Sequence, residues 1–168
     1  GRRALRPASA GPEPDGDVDV SADAPEAGRR VDALFARYGE SHRHPTNKAI
    51  HWVCVPLITW SLLAMLWWLS PAAAYVLIGI ATLFYLTLSF TIAIGMLAVA
   101  AVMVYPLTLL GDATLPVAIA VFVAAWIGQF AGHRIEGKKP SFVEDLRFLL
   151  VGPAWLLGTL CECLGIRY

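Results

Sequence analysis

Ser41-His42-Arg43-His44-Pro45-Thr46-Asn47-Lys48-Ala49-Ile50-His51 decides the reading of this chain, because it sets three histidines directly before a long apolar run. The fourth histidine, His133, follows the last of four such runs. Between Ala49 and His133 the only acid or base is Asp112, and all 13 Lys and Arg lie in 1–48 or 134–168. With 57% hydrophobic residues and a mean hydropathy of +0.60, this distribution predicts an all-α integral membrane protein rather than a soluble domain. Nothing in it points to nucleic acid. At 168 residues the chain has room for one core.

Working outward from the histidines, Pro45 suits the first turn of a helix, where its missing N–H costs nothing. A first membrane helix is expected over 46–69, closed by Ser70-Pro71. The next run, 72–110, would extend about 58 Å as one helix against a bilayer core of about 30 Å. It is therefore divided near 89–91, into helices of about 72–88 and 92–109. Gly111-Asp112-Ala113-Thr114 reads as a turn, and 115–132 as the fourth helix. Four crossings return the chain to its starting side, which puts His51 and His133 at one face. The same face carries every Lys and Arg, so the positive-inside rule makes it cytoplasmic, with both termini there.

The flanks are simpler. Residues 1–28 are rich in Ala, Pro, Gly and acids, and are expected to be disordered; without an apolar core segment they do not read as a signal peptide. Residues 29–168 form the single membrane domain. Val31, Leu34, Phe35 and Tyr38 recur at helical spacing, an amphipathic helix over 30–41 for the membrane surface. After His133 a polar loop, 134–140, is expected. Ser141 with Glu144 makes a capping-box pattern, the helix that follows ends at Gly152-Pro153, and 154–164 is too short to span. Cys54, Cys161 and Cys163 lack the spacing of a zinc or redox site and read as structural.

Histidine is the commonest transition-metal ligand. Four of them at one face, with Asn47 and Glu136 to orient the rings, make a candidate metal centre. Spacing alone leaves the plainer reading open: interfacial histidines, a His133 that meets helix-terminal carbonyls, and a Gln129 that serves helix packing.

Two motifs sharpen the choice. His42-x-x-Pro45-x-Asn47-x-x-Ile50-His51 with Val55-Pro56-Leu57, and Ile127-Gly128-Gln129-Phe130-Ala131-Gly132-His133 with Glu136-Gly137-Lys138-Lys139-Pro140, resemble the two signatures of the Mpo1-like (DUF962) family. The resemblance covers about 32–165. It implies a multi-pass membrane enzyme, an Fe(II)-dependent dioxygenase that shortens 2-hydroxy fatty acids by one carbon in fatty acid alpha-oxidation and sphingoid-base breakdown. It implies His42, His51 and His133 as iron ligands and catalytic residues. His44 or Glu136 would be a further ligand or orienting group, and Asn47 and Gln129 would stand behind the ligands. His44 departs from the family pattern, which often carries Asn or Asp there. Substrates would be the 2-hydroxy acid and O₂, with the acyl tail among the apolar helices, in a bacterial inner membrane or the endoplasmic reticulum. The alternatives are a non-catalytic lipid-binding or assembly protein, or a metal-dependent lipid hydrolase on the same scaffold.

Overall fold

The structure, a computed structural model, describes residues 29–39, 44–137 and 149–168. These residues are helical, with no strand among them: α1 (Arg30–Gly39), α2 (Pro45–Leu69), α3 (Pro71–Leu86), α4 (Phe90–Leu110), a 3-10 turn (Gly111–Ala113), α5 (Thr114–Glu136) and α6 (Val151–Cys163). Local chemistry sets the starts. Pro45 and Pro71 occupy first-turn positions. The Ser70 hydroxyl accepts from Ala73 N at 3.3 Å and the Ser89 hydroxyl from Ile92 N at 3.4 Å, each satisfying a donor that the helix leaves open. Ser89 thus marks the division expected near 89–91.

Packing fixes the order of directions. Gly132 of α5 meets Asn47 at the start of α2, Gly128 meets Cys54, and Ala118 shares a cluster with Leu63 and Ala64. The two helices therefore run antiparallel. On α4, Ile92 and Met96 pack near Val151, while Val104 and Leu107 join Leu63 and Ala64. That helix runs with α2, and α3 runs against both, with Ala74 near Ala64 and Tyr85 near Ile92. Side chains tie the layers where backbone is otherwise closed: Trp60 Nε1 donates to Met103 O at 3.1 Å, and the Tyr85 hydroxyl to Leu150 O at 2.8 Å. The amphipathic α1 lies on α6, with the Tyr38 and Trp155 rings 5.3 Å apart and Phe35 seated over Gly158. Burial of Val31 and Phe35 there stabilises by about 1.5–3 kcal/mol each.

Two helical stretches are long and apolar enough to cross a membrane, Pro45–Leu69 and the 47-residue Phe90–Glu136. Held straight, the second would extend about 70 Å, more than twice a hydrocarbon core. It doubles back at Gly111, whose φ of 51° favours glycine. The 16 residues of α3 make a shorter apolar helix. Only 39% and 28% of the most apolar windows of the two long stretches are buried, and Leu69, Val102 and Leu109 are more than 70% exposed. A soluble core helix would be mostly covered, so this exposure is in keeping with helices that could cross a membrane.

Two boundaries differ from expectation. The fourth helix does not stop at Gly132. It continues to Glu136, so 134–136 is a last helical turn and not a loop, and Gly137 with φ 75° closes it. The position of Gly152-Pro153 is the second. Both residues lie in the first turn of α6, where proline loses no bond. The expected helix at 142–151 falls mostly outside the described residues, as does the segment 1–28.

Candidate functional site

The α2–α5 contact is the most extensive between the described helices, and two glycines let the backbones draw together. A Cβ added to Gly128 would stand 2.5 Å from Cys54 Sγ, and one added to Gly132 2.4 Å from Asn47 Oδ1. Only hydrogen at those positions lets the backbones approach this closely, the effect of small residues four apart on a helix face.

At the open end of that contact the approach brings His51 and His133 together. Their rings stand edge to face with centroids 5.1 Å apart at 90°, although 82 positions separate them in sequence (133 less 51). They are 1% and 5% exposed, and both Nε2 atoms are buried. His51 Nδ1 lies 2.9 Å from the Asn47 carbonyl oxygen, one turn earlier on α2. A carbonyl only accepts, so Nδ1 carries a hydrogen and fixes the ring's orientation. A backbone bond of this kind is how proteins orient a metal-binding imidazole.

Beside the pair, Glu136 joins the ends of the two helices. Its carboxylate accepts from His44 N at 2.9 and 3.2 Å and from Asn47 Nδ2 at 3.0 Å. Carboxylates accept only, so the Asn47 amide is oriented with Nδ2 toward Glu136 and Oδ1 toward Gly132. The negative charge also sits where the α2 dipole is positive. His44 is exposed, and its Nδ1 accepts from Thr46 N at 3.2 Å; it is the N-cap of α2. Gln129 is buried one turn before His133, and neither its Oε1 nor Asn47 Oδ1 has a hydrogen-bond partner among the described residues.

The donor set, two imidazoles, suits a metal that prefers nitrogen. Two buried imidazoles from different helices, one with its tautomer fixed, are the kind of donor that such a centre uses. Among the described residues no group of three His, Cys, Asp or Glu completes it. His42 lies outside the described residues, two positions before His44.

Sequence reasoning brought out His51, His133, Asn47 and Glu136, and the structure gathers all four. It assigned no role to Gly128 and Gly132, although their four-residue spacing in an apolar helix is a readable signal. It also gave no hint of an apolar cavity of about 120 Å³ among α2, α3, α4 and residues 149–150.

No curated protein and no solved structure matches the chain. One family does: that described as 2-hydroxy-palmitic acid dioxygenase Mpo1-like, over residues 29–164. Because the match spans both histidine helices and most of the sequence, the chain belongs to the Mpo1-like family.

Proposed function

We propose that this protein is an Fe(II)-dependent dioxygenase that shortens 2-hydroxy fatty acids by one carbon, with His42, His51 and His133 as the iron ligands. The observation that carries it is the buried His51–His133 pair with the His51 tautomer fixed by the Asn47 carbonyl, in a chain of the Mpo1-like family. In this reading α2 to α5 cross the bilayer four times. The histidines then lie at the face that carries the Lys and Arg, the cytoplasmic one.

Bound Fe(II) supplies the redox chemistry that O₂ requires. A 2-hydroxy acid and O₂ balance to an acid one carbon shorter, carbon dioxide and water, with no other reductant. The chain's own residues set the stage. His51 and His133 present ring nitrogens in a buried site, and the Nδ1–H bond makes Nε2 the basic nitrogen of His51. Glu136 holds Asn47 and the start of α2. His44, spent on capping α2 through Nδ1, contributes as a surface residue or through Nε2.

Metal analysis of detergent-purified protein, prepared anaerobically, tests the reading. About one iron per chain is expected in the wild type and none in His51→Ala or His133→Ala, with O₂-dependent loss of 2-hydroxypalmitic acid only in the first. Activity that survives either substitution refutes the site. Turnover without O₂ would indicate a hydrolase, and no metal after Fe(II) reconstitution a non-catalytic lipid-binding protein.

A further inference from the structure

The apolar cavity lies among α2, α3 and α4 and is bordered by Leu149 and Leu150. Its few polar side chains are turned to backbone carbonyls. Thr59 donates to Val55 O at 2.9 Å, Thr82 to Ile78 O at 2.8 Å, and Tyr85 to Leu150 O. With every one of these hydroxyl hydrogens engaged and the rest of the lining apolar, such a space favours hydrocarbon over water.

Its position ties it to the histidines. At about 100° per residue, Val55, Ile58 and Leu62 all fall within about 40° of His51 around α2. The cavity opens at Thr59, eight residues and about 12 Å further along the axis. Leu62 and Leu149 belong both to its wall and to the cluster of Cys54, Ile58 and Ala125 just below the pair. A row of apolar side chains therefore leads from His51 to the cavity.

We infer that this cavity holds the far end of the substrate's acyl chain while the 2-hydroxy acid head is at His51 and His133, so that its depth selects long chains. This rests on the proposed function for the identity of the head group, while the chain-length dependence rests on the cavity alone. Ala100 and Met96 of α4 line the space and set its capacity from opposite directions. Ala100→Phe fills it; Met96→Ala enlarges it.

The test is equilibrium binding of 2-hydroxypalmitic, 2-hydroxyoctanoic and unsubstituted palmitic acid to the full chain in nanodiscs, with thermal unfolding run alongside. Wild type should bind 2-hydroxypalmitic acid at least tenfold more tightly than 2-hydroxyoctanoic acid. Ala100→Phe should remove at least about tenfold of the long-chain affinity, the loss of two or three buried methylenes at about fourfold each. It should leave the short acid within about twofold. Met96→Ala should shift preference toward chains longer than palmitic, which keeps the test decisive if the Phe variant does not fold. Equal effects on both chain lengths, or none, overturn the assignment. So does a co-purified phospholipid that neither acid displaces, which would give the cavity to the bilayer. Chain-length dependence without preference for the 2-hydroxyl overturns the proposed substrate and leaves the cavity assignment standing; binding of none of the acids overturns both.

Discussion

Adding one methyl group at Gly132 perturbs the closest point of the α2–α5 contact. The new Cβ would stand 2.4 Å from Asn47 Oδ1 and 3.4 Å from Ile50 Cγ2, so something has to move. Asn47 is not free to swing, because Nδ2 is bonded to Glu136 at 3.0 Å. If it does swing, a hydrogen bond to a charged group is lost, at about 1.5–3 kcal/mol. If instead the helices part, the cost is that of overpacking, about 1–3 kcal/mol. Either way Gly132→Ala should destabilise by roughly 1.5–3 kcal/mol. Asn47→Ala alone removes the same bond and should cost a similar amount. The decisive variant carries both changes. With the Asn47 side chain gone the methyl has room, so the double variant should be no less stable than Asn47→Ala, a coupling as large as the whole Gly132→Ala effect. Denaturant titration in detergent, followed by circular dichroism, measures all three. Simple addition of the two single costs would refute this account of why glycine is at 132.

Other substitutions follow from single contacts. Tyr85→Phe removes the hydroxyl that donates to Leu150 O and should cost about 1 kcal/mol; unchanged stability would mean that this bond does not hold residues 149–150 against α3. Gln129→Leu deletes a buried oxygen with no partner among the described residues, so the same titration should show stability unchanged or raised by about 1 kcal/mol, and a clear loss would refute that. The Tyr168 phenol is pushed up to about 12, first by burial and then by its hydrogen bond to Glu162 and the charges of Glu162 and Asp32, with Arg29 opposing. Because the folded value lies above the ordinary 10, the fold disfavours the phenolate. Stability from this group is complete below pH 10 and lost as pH rises through 12. Alkaline unfolding of wild type against Tyr168→Phe should therefore converge across that window.

Much of the architecture was legible because apolar length and helix punctuation survive in sequence. The α1 stripe of Val31, Phe35 and Tyr38, the start at Pro45 and the turn at Gly111 all lie where the pattern puts them. What misled was glycine. The expected fourth helix is bounded at Gly132, yet that glycine admits Asn47 within the helix, and the true stop is Gly137 in the left-handed region. The difference between a packing glycine and a capping glycine lies in the partner helix, which local sequence does not contain. Gly152-Pro153 failed for a related reason, since a first turn tolerates the residues that break an interior. The cavity left no sign at all, because three helices and residues 149–150 each give it a few side chains and none has a period of its own. His44 hid its role in another way: histidine is an unusual N-cap, and only the bond from Thr46 N reveals it.

The site's dependence on helix approach explains why its polar residues lie where they do. Two imidazoles on one helix face would be set by helix geometry alone, whatever the rest of the fold did. Here one histidine comes from α2 and one from α5, so their separation is only as fixed as the contact between those helices. Gly128 and Gly132 bring the backbones close, but a glycine contact has no side chain to hold register along the axis. Glu136 provides it: its carboxylate, on the last turn of α5, is bonded to His44 N and Asn47 Nδ2 in the first turn of α2. Asn47 then passes the constraint inward, because its carbonyl is the acceptor that orients His51. A slide of one helix along the other would break the Glu136 bonds and displace the His51–His133 pair together. The acid, the amide and the two histidines are one mechanical unit, and this accounts for their appearance in two short motifs at opposite ends of an otherwise apolar sequence.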